Sequence, residues 1–241
     1  MLSKSTKSLG QLLAAIVATF AIIVAAMVTL TGPATAGANV SADNSHSHMM
    51  HKKKANKAKK GKISKQALRV KMRELWDEHM EWTYAAVAAF AADSAGLNDT
   101  IARLLKNQED IGNAIKPFYG EAAGNQLTAL LKEHIQEAVP VLVAAKAGNT
   151  NDLNAAIATW YGNAEQIGNF LADANPKLPR KAAVSMMRMH ITQTVSYAAD
   201  QLAGNYAKSI TTYDEALAHM RMMSDDLTNA LVKQFPKKFK K

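Results

Sequence analysis

Two segments of the chain match each other and decide the predicted fold: "NQEDIGNAI" at residues 107–115 and "NAEQIGNFL" at residues 163–171. The same interval further along the chain leads to a third stretch, "HMRMMSDDL", which begins at His219. A fixed period of this length is typical of repeated supersecondary units. We therefore predict that one structural unit occurs three times.

The other half of each unit contains a histidine. His79, His134 and His190 recur with nearly the same period, and each precedes an Ala-rich segment that stops at a glycine. Those glycines, which we expect to cap helices, are Gly96, Gly148 and Gly204. Apolar residues recur at helical spacing. The sequence predicts an all-α domain of six helices in three αα-hairpins of about 55 residues, and a closed up-and-down bundle is preferred over a short solenoid.

Two glycines lie inside the second helices of the first two units, at matching positions. Gly112 and Gly168 each follow the isoleucine of the matching segment and are separated by the period of the repeat. A glycine inside a predicted helix lowers its intrinsic stability, so its place there needs a structural reason. We expect these two glycines to allow another helix to approach closely.

The N-terminal residues 1–36 have the features of an export signal. Lys4 and Lys7 precede an apolar run, residues 12–30, and Ala34-Thr35-Ala36 offers a cleavage site. The run is also long enough to span a bilayer, so an uncleaved membrane anchor is the alternative. The chain has no cysteine, which excludes a disulfide framework. We expect an exported protein that is periplasmic, secreted or tethered to the outer face of the membrane.

The predicted domain organisation follows from composition. Residues 37–64 lack hydrophobic periodicity and are rich in His, Met and Lys, so we predict a disordered linker. The helical domain then spans residues 65–235, and residues 236–241 form a basic tail.

The net charge of +9 is concentrated outside the helical domain. Thirteen lysines lie in three places: two in the signal, seven in Lys52–Lys62 and four in Lys237–Lys241; removing them leaves the rest of the chain at −4. Such basic segments suit an anionic membrane surface or an envelope polymer, and for an exported protein these partners are favoured over nucleic acid. One functional alternative is therefore an envelope-associated structural protein held to anionic surfaces by its lysines.

Histidine and methionine cluster at two places, and both suggest a transition metal. In the linker, His46, His48 and His51 surround two methionines. In the third hairpin, His190 and His219 lie at nearly equal distances before and after Gly204, so they should come level in an antiparallel pair. Imidazole and thioether donors suit copper before zinc.

The thioethers of the third hairpin would come from Met186 and Met222. The repeat offers an alternative interpretation of these methionines. Met186 and Met187 correspond to hydrophobic pairs in the other two units, and Met223 corresponds to isoleucines, which predicts core positions. Met222 corresponds to an Asp and a Gln, which predicts a more polar location.

A carboxylate–histidine metalloenzyme of the ferritin-like type is a second alternative. His79 and His134 each follow a glutamate, and the predicted facing helices carry Glu109, Asp110 and Glu165. Dimetal bundles of this kind use a Glu-x-x-His motif, which the sequence lacks. It also lacks a phosphate-binding glycine loop, a G-x-S-x-G elbow and an H-E-x-x-H motif. A non-enzymatic protein is therefore the favoured interpretation.

The folded part also resembles a known set of sequences. "LWDEHMEWT" at residues 75–83, the run through "KPFYGEAAGNQLTALLKEHI" at residues 116–135 and the later "SMMRMH", "HMRMM" and "QFPKKF" resemble a family of uncharacterised exported bacterial helical proteins. The resemblance implies one intact helical domain. It implies no activity, ligand or catalytic residue.

Overall fold

The structure is a computed structural model that describes residues 62–240. Within this range the chain forms six α-helices, which confirms the predicted all-α class. The helices are α1 (Lys65–Ala91), α2 (Leu97–Tyr119), α3 (Glu121–Ala147), α4 (Thr150–Ala174), α5 (Arg180–Leu202) and α6 (Tyr206–Gln234), followed by a 3₁₀ turn at Pro236–Lys238.

Each helix packs against its neighbours in sequence, and α6 also packs against α1. Side chains link these two helices although they lie at opposite ends of the domain sequence: Arg73 donates to Asp225 at 2.8 and 2.5 Å, and Arg69 donates to Asn229 at 2.7 Å. In addition, α1, α3 and α5 contact one another. These three helices carry His79, His134 and His190, so the packing brings the repeated histidines towards the centre.

Two of the three predicted glycine caps are confirmed. Gly148 ends α3 with a φ of 66°, and Gly204 follows α5 with a φ of 77°. Both lie in the left-handed region, which glycine adopts at little cost.

The predicted cap at Gly96 is wrong. α1 ends at Ala91, Asp93 takes the left-handed conformation with a φ of 52°, and Gly96 precedes α2 with an ordinary φ of −83°. The Asp93 carboxylate accepts a hydrogen bond from Lys146 Nζ at 2.6 Å, and the same ammonium donates to the Phe90 carbonyl at 3.0 Å. This cation at the helix C-terminus helps to fix the turn without glycine.

The predicted role of Gly112 and Gly168 is confirmed. A Cβ at Gly168 would lie 2.7 Å from Val184 Cα, and a Cβ at Gly112 would lie 2.6 Å from the Gly124 carbonyl oxygen. Both distances are too short for non-bonded atoms, and both partners are backbone. These glycines therefore let α4 approach α5 and α2 approach α3 at backbone distance.

The folded domain extends beyond the predicted limits of 65 and 235. Ile63 donates from its amide to the Lys238 carbonyl at 2.8 Å and accepts from the Lys240 amide at 3.0 Å, forming a parallel bridge with Phe239. Phe239 is 1% exposed and stacks on Phe118 with ring centroids 5.9 Å apart. An apolar ring within the predicted basic tail explains why this segment packs against the domain.

Several predictions concern residues outside the described range: the signal or anchor at residues 1–36, most of the linker, and His46, His48 and His51. Between residues 62 and 240, no helix combines the length and apolarity needed to cross a bilayer.

Candidate functional site

The three repeated histidines meet inside the bundle. The Nε2 atoms of His79 and His190 are 3.5 Å apart, and their ring centroids are separated by 5.5 Å. The His134 ring stacks on His190 with centroids 5.7 Å apart and planes inclined by 27°. Each side chain is only 2% exposed. One imidazole from the first helix of each hairpin thus contributes to a single buried cluster, which we call the histidine core.

The histidine core is electrically neutral at neutral pH. Burial lowers the pKa of His79 to about 3, with a further lowering by His134. Burial lowers the pKa of His134 to about 4, although its bond to Asn163 opposes the effect. Burial, followed by the neighbouring His79 and His134, holds the pKa of His190 well below its usual range. The cause throughout is desolvation, which penalises the charged imidazolium.

Asn163 fixes the orientation and tautomer of His134. The amide nitrogen of Asn163 donates to the Leu130 carbonyl at 3.1 Å, which leaves its oxygen facing His134 Nδ1 at 2.8 Å. In this assignment His134 carries its proton on Nδ1 and donates it to Asn163. Its Nε2 is then an unprotonated, buried nitrogen, and it has no hydrogen-bond partner.

Gln108 plays the corresponding part for His79. Its amide nitrogen donates to the Leu104 carbonyl at 2.9 Å and lies 3.2 Å from His79 Nδ1. His79 therefore accepts at Nδ1 and carries its proton on Nε2, the atom that faces His190. The Nδ1 atom of His190 and the amide oxygen of Gln108 are both buried without a partner. Polar atoms of this kind are rare in protein interiors and require an explanation.

A second repeated contact joins the helices of each hairpin and involves His219. Asn107 donates to the Leu75 carbonyl at 2.9 Å, and Asn163 donates to the Leu130 carbonyl at 3.1 Å. His219 Nε2 makes the equivalent bond to the Met186 carbonyl at 3.0 Å. In each hairpin the acceptor lies one helical turn before the core histidine. His219 is thus the third member of a set of interhelical clamps, with Nε2 committed as a donor.

The predicted metal ligands of the third hairpin have different surroundings, although His219 lies close enough to His190 to help lower its pKa. His190 lies in the histidine core, whereas His219 contacts Met186 through the carbonyl of that residue. Met222 is 55% exposed, which agrees with the polar location predicted by the repeat. Met187 and Met223 are buried core residues, as predicted. Met186 is partly buried against the same core.

The carboxylates considered for a dimetal centre lie in surface ion pairs. Glu109 pairs with Lys132 at 2.7 Å, Asp110 pairs with Lys106 at 2.8 Å, and Glu165 pairs with Arg188 at 2.5 Å. None of these contacts involves a core histidine, and the donors of the histidine core are nitrogen atoms.

Sequence reasoning identified all three core histidines as equivalent but did not place them together. The available signal was their shared position in the first helix of each unit. If the three first helices face one axis, equivalent positions meet on it. No feature of the sequence indicated that Asn163 and Gln108 would contact these histidines.

As described, residues 62–240 contain no group of three or more His, Cys, Asp or Glu side chains already arranged to hold a metal ion. The chain matches no family model, no curated protein and no solved structure.

Proposed function

We propose that this chain is an exported, non-enzymatic helical protein that binds a transition-metal ion at the histidine core. The observation that supports the proposal is the convergence of three buried, neutral imidazoles, with two Nε2 atoms 3.5 Å apart. Two nitrogens bound to one ion at about 2.0–2.1 Å lie no more than about 4.2 Å from each other, so this separation suits a shared ion.

The surroundings of the rings support the proposal because they resemble those of ligating histidines. Such histidines usually have one nitrogen oriented by a neighbouring acceptor, while the other faces the metal. Asn163 orients His134 in this way and leaves Nε2 unpartnered. For His79, reversal of the Gln108 amide would present its oxygen to Nδ1–H and free Nε2, at the cost of the hydrogen bond from Gln108 to the Leu104 carbonyl.

Binding requires a change in ring orientation. The stacked rings of His134 and His190 do not direct their nitrogens at one point, in keeping with the absence of a preformed metal group among the described residues. Rotation about the terminal side-chain torsion is soft for histidine. We propose that the ion turns the His190 ring as it binds, because Nδ1 of that ring has no hydrogen-bond partner, whereas Asn163 holds His134 in place.

Charge favours copper over zinc at this site. The ligands are neutral and the rings are buried, and the cost of burying an ion rises steeply with its charge. The free-energy cost of burying singly charged Cu(I) is lower than that of burying Zn²⁺, so fewer compensating charges are needed here. Imidazole is also a suitable ligand for copper. The preference thus rests on burial and not on the thioether of Met222, which lies at the surface.

The repeat and the export are parts of the same proposal. We propose that the three hairpins are repeats arranged in a closed bundle; the matched histidines, the three interhelical clamps and the packing of α6 on α1 support this. Export rests on the signal-like sequence of residues 1–36. The ferritin-like alternative is less favoured because Glu109, Asp110 and Glu165 take part in surface ion pairs.

Anaerobic Cu(I) titration against a chromogenic chelator tests the proposal. The full chain should carry serine at positions 46, 48 and 51, so that the linker histidines do not contribute. We expect one Cu(I) per chain. His190→Leu, which keeps an apolar core and removes a ligand, should weaken binding by at least about 100-fold.

His219→Asn is the matched control, because asparagine forms the equivalent clamp in the other two hairpins. This variant should bind Cu(I) like the parent, and circular dichroism should show that both variants are folded. Failure of the parent to compete for Cu(I), or equal affinity in His190→Leu, would contradict the proposal.

A further inference from the structure

One terminus of each of the six helices lies at the same end of the bundle. The described chain also begins and finishes at this end. The Tyr119 hydroxyl at the end of α2 donates to Gln234 at 2.8 Å and accepts from Asn175 at 2.9 Å. Ile63 and Phe239 pair at the same end, immediately before α1 and after α6. The next helices, α3 and α5, begin within a few residues of Tyr119 and Asn175.

This end carries a strong excess of positive charge. Seven exposed lysines here take part in no ion pair within residues 62–240: Lys62, Lys65, Lys177, Lys181, Lys233, Lys237 and Lys240. The acidic residues nearby, Glu121 and Asp173, are already paired with Lys116 and Arg180. We call the seven lysines the basic end.

The opposite end of the bundle does not share this character. Its two lysines are paired with acids, Lys146 with Asp93 at 2.6 Å and Lys208 with Asp200 at 3.1 Å. Asp99 and Asp152 lie in the first turns of α2 and α4 at this end. The bundle is therefore electrically asymmetric along its length.

We infer that the basic end docks on the anionic phospholipid headgroups of a membrane. Lysines spread over several helix termini, with no common pocket, suit a plane of negative charge better than a single anion, because each ammonium acts as a separate point charge. The surface involves α1, α5, α6 and the loop before α5, so it goes beyond the two lysine-rich segments recognised in the sequence.

The order of the chain supports a lipid surface as the partner. Six more lysines lie among residues 52–60, directly before the basic end. The signal-like apolar run ends upstream, and the segment between positions 37 and 61 can span at most about 90 Å. In the alternative of an uncleaved anchor, the chain that follows the apolar run therefore leads into the basic end of the bundle and not into the opposite end.

Energy transfer to labelled lipid tests the inference on the full chain. Because the chain has no cysteine, one introduced cysteine can be labelled uniquely. Ala122→Cys places a donor at the basic end and Thr150→Cys at the opposite end; both sites are exposed and about 40 Å apart along α3. The acceptor is a headgroup-labelled lipid in vesicles of phosphatidylcholine with or without phosphatidylglycerol as a minor component.

With phosphatidylglycerol present, we expect several-fold stronger transfer from position 122 than from position 150. The difference should disappear in pure phosphatidylcholine and in about 0.5 M salt, which screens such attraction. The double variant Lys181→Ser/Lys233→Ser should reduce the difference in transfer between positions 122 and 150. Lys106→Ser/Arg188→Ser, which removes the same charge from the helix flanks, should not.

Equal transfer from the two positions, or no dependence on lipid charge, would overturn the inference. An anionic preference that is the same in both double variants would show that Lys181 and Lys233 take no part in docking and would also overturn it. None of these readouts depends on copper.

Discussion

Three imidazoles buried at one level of the bundle make its stability depend on pH. In the unfolded chain a histidine takes up a proton near about pH 6.5, whereas burial moves the pKa values of folded His79 and His134 to about 3 and 4. Between these values the unfolded state binds more protons than the folded state. The free energy of unfolding should therefore be fully retained above about pH 6.5 and should fall as the solution becomes more acidic.

We predict a large loss of stability in weak acid for the metal-free protein. At about pH 5 His79 and His134 should each cost about 2 kcal/mol, about 4 kcal/mol together, and His190 should add to this loss. The sum approaches the total stability of the less stable domains. Urea unfolding at pH 7.5, 6 and 5, with a chelator present, measures this. His190→Leu should reduce the dependence of the free energy of unfolding on pH, because it removes one of the three buried rings. An unchanged urea midpoint across this range would show that the rings are not buried as neutral bases.

The sequence allowed single residues to be predicted only where the repeat provided a comparison. Met222 was expected at a polar place because its counterparts are polar, and it is exposed. His219 could have been recognised as a clamp from Asn107 and Asn163, but an asparagine and a histidine share no obvious pattern. Asp93 was missed because a lysine distant in sequence, Lys146, fixes its turn.

Close approach of pairs of helices depends on single glycines. Gly168 lies on α4 where the backbone of Val184 on α5 occupies the space that a side chain would need. The period of the repeat predicted that Gly112 and Gly168 are equivalent, and both prove to be contact points. Which helix each one faces depends on the rotation of the helix about its axis, and the sequence pattern did not specify it.

We predict that Gly168→Ala destabilises the domain by about 2–3 kcal/mol, because α4 and α5 must separate to accommodate the methyl group. Gly162→Ala is the matched control: it lies in the same helix, and a Cβ there meets nothing within 4 Å. That change should stabilise the helix by up to about 1 kcal/mol. Thermal or urea unfolding gives both values, and equal effects of the two substitutions would contradict the proposed contact.

At the scale of the whole molecule, the two ends of the described chain stabilise each other. Phe239 inserts between the helix termini and stacks on Phe118, and Lys238 donates to the Pro117 carbonyl at 2.5 Å. The helical periodicity predicted six helices, but it stopped at residue 235. The lysines of residues 236–241 predicted an exposed basic tail. The average composition of this segment did not indicate that one ring, Phe239, would pack it against the domain.

We predict that Phe239→Ala lowers the free energy of unfolding by about 3–5 kcal/mol, the usual cost of removing a buried aromatic ring. Lys240→Ala is the control, since its side chain is exposed and only its amide bonds to Ile63. It should leave stability unchanged within about 0.5 kcal/mol. If the phenylalanine variant unfolded at the same urea concentration as the parent, the C-terminal segment would not be part of the cooperative core.

The pairing of Ile63 with Phe239 has a topological consequence. When the ends of a domain are neighbours, a short peptide can join them, and the chain can be opened elsewhere without altering its packing. The turns before Glu121 and before Arg180 separate successive hairpins and are natural places for such a cut. The ribosome could then begin synthesis with any of the three hairpins, and each such circular permutant would encode the same arrangement of helices.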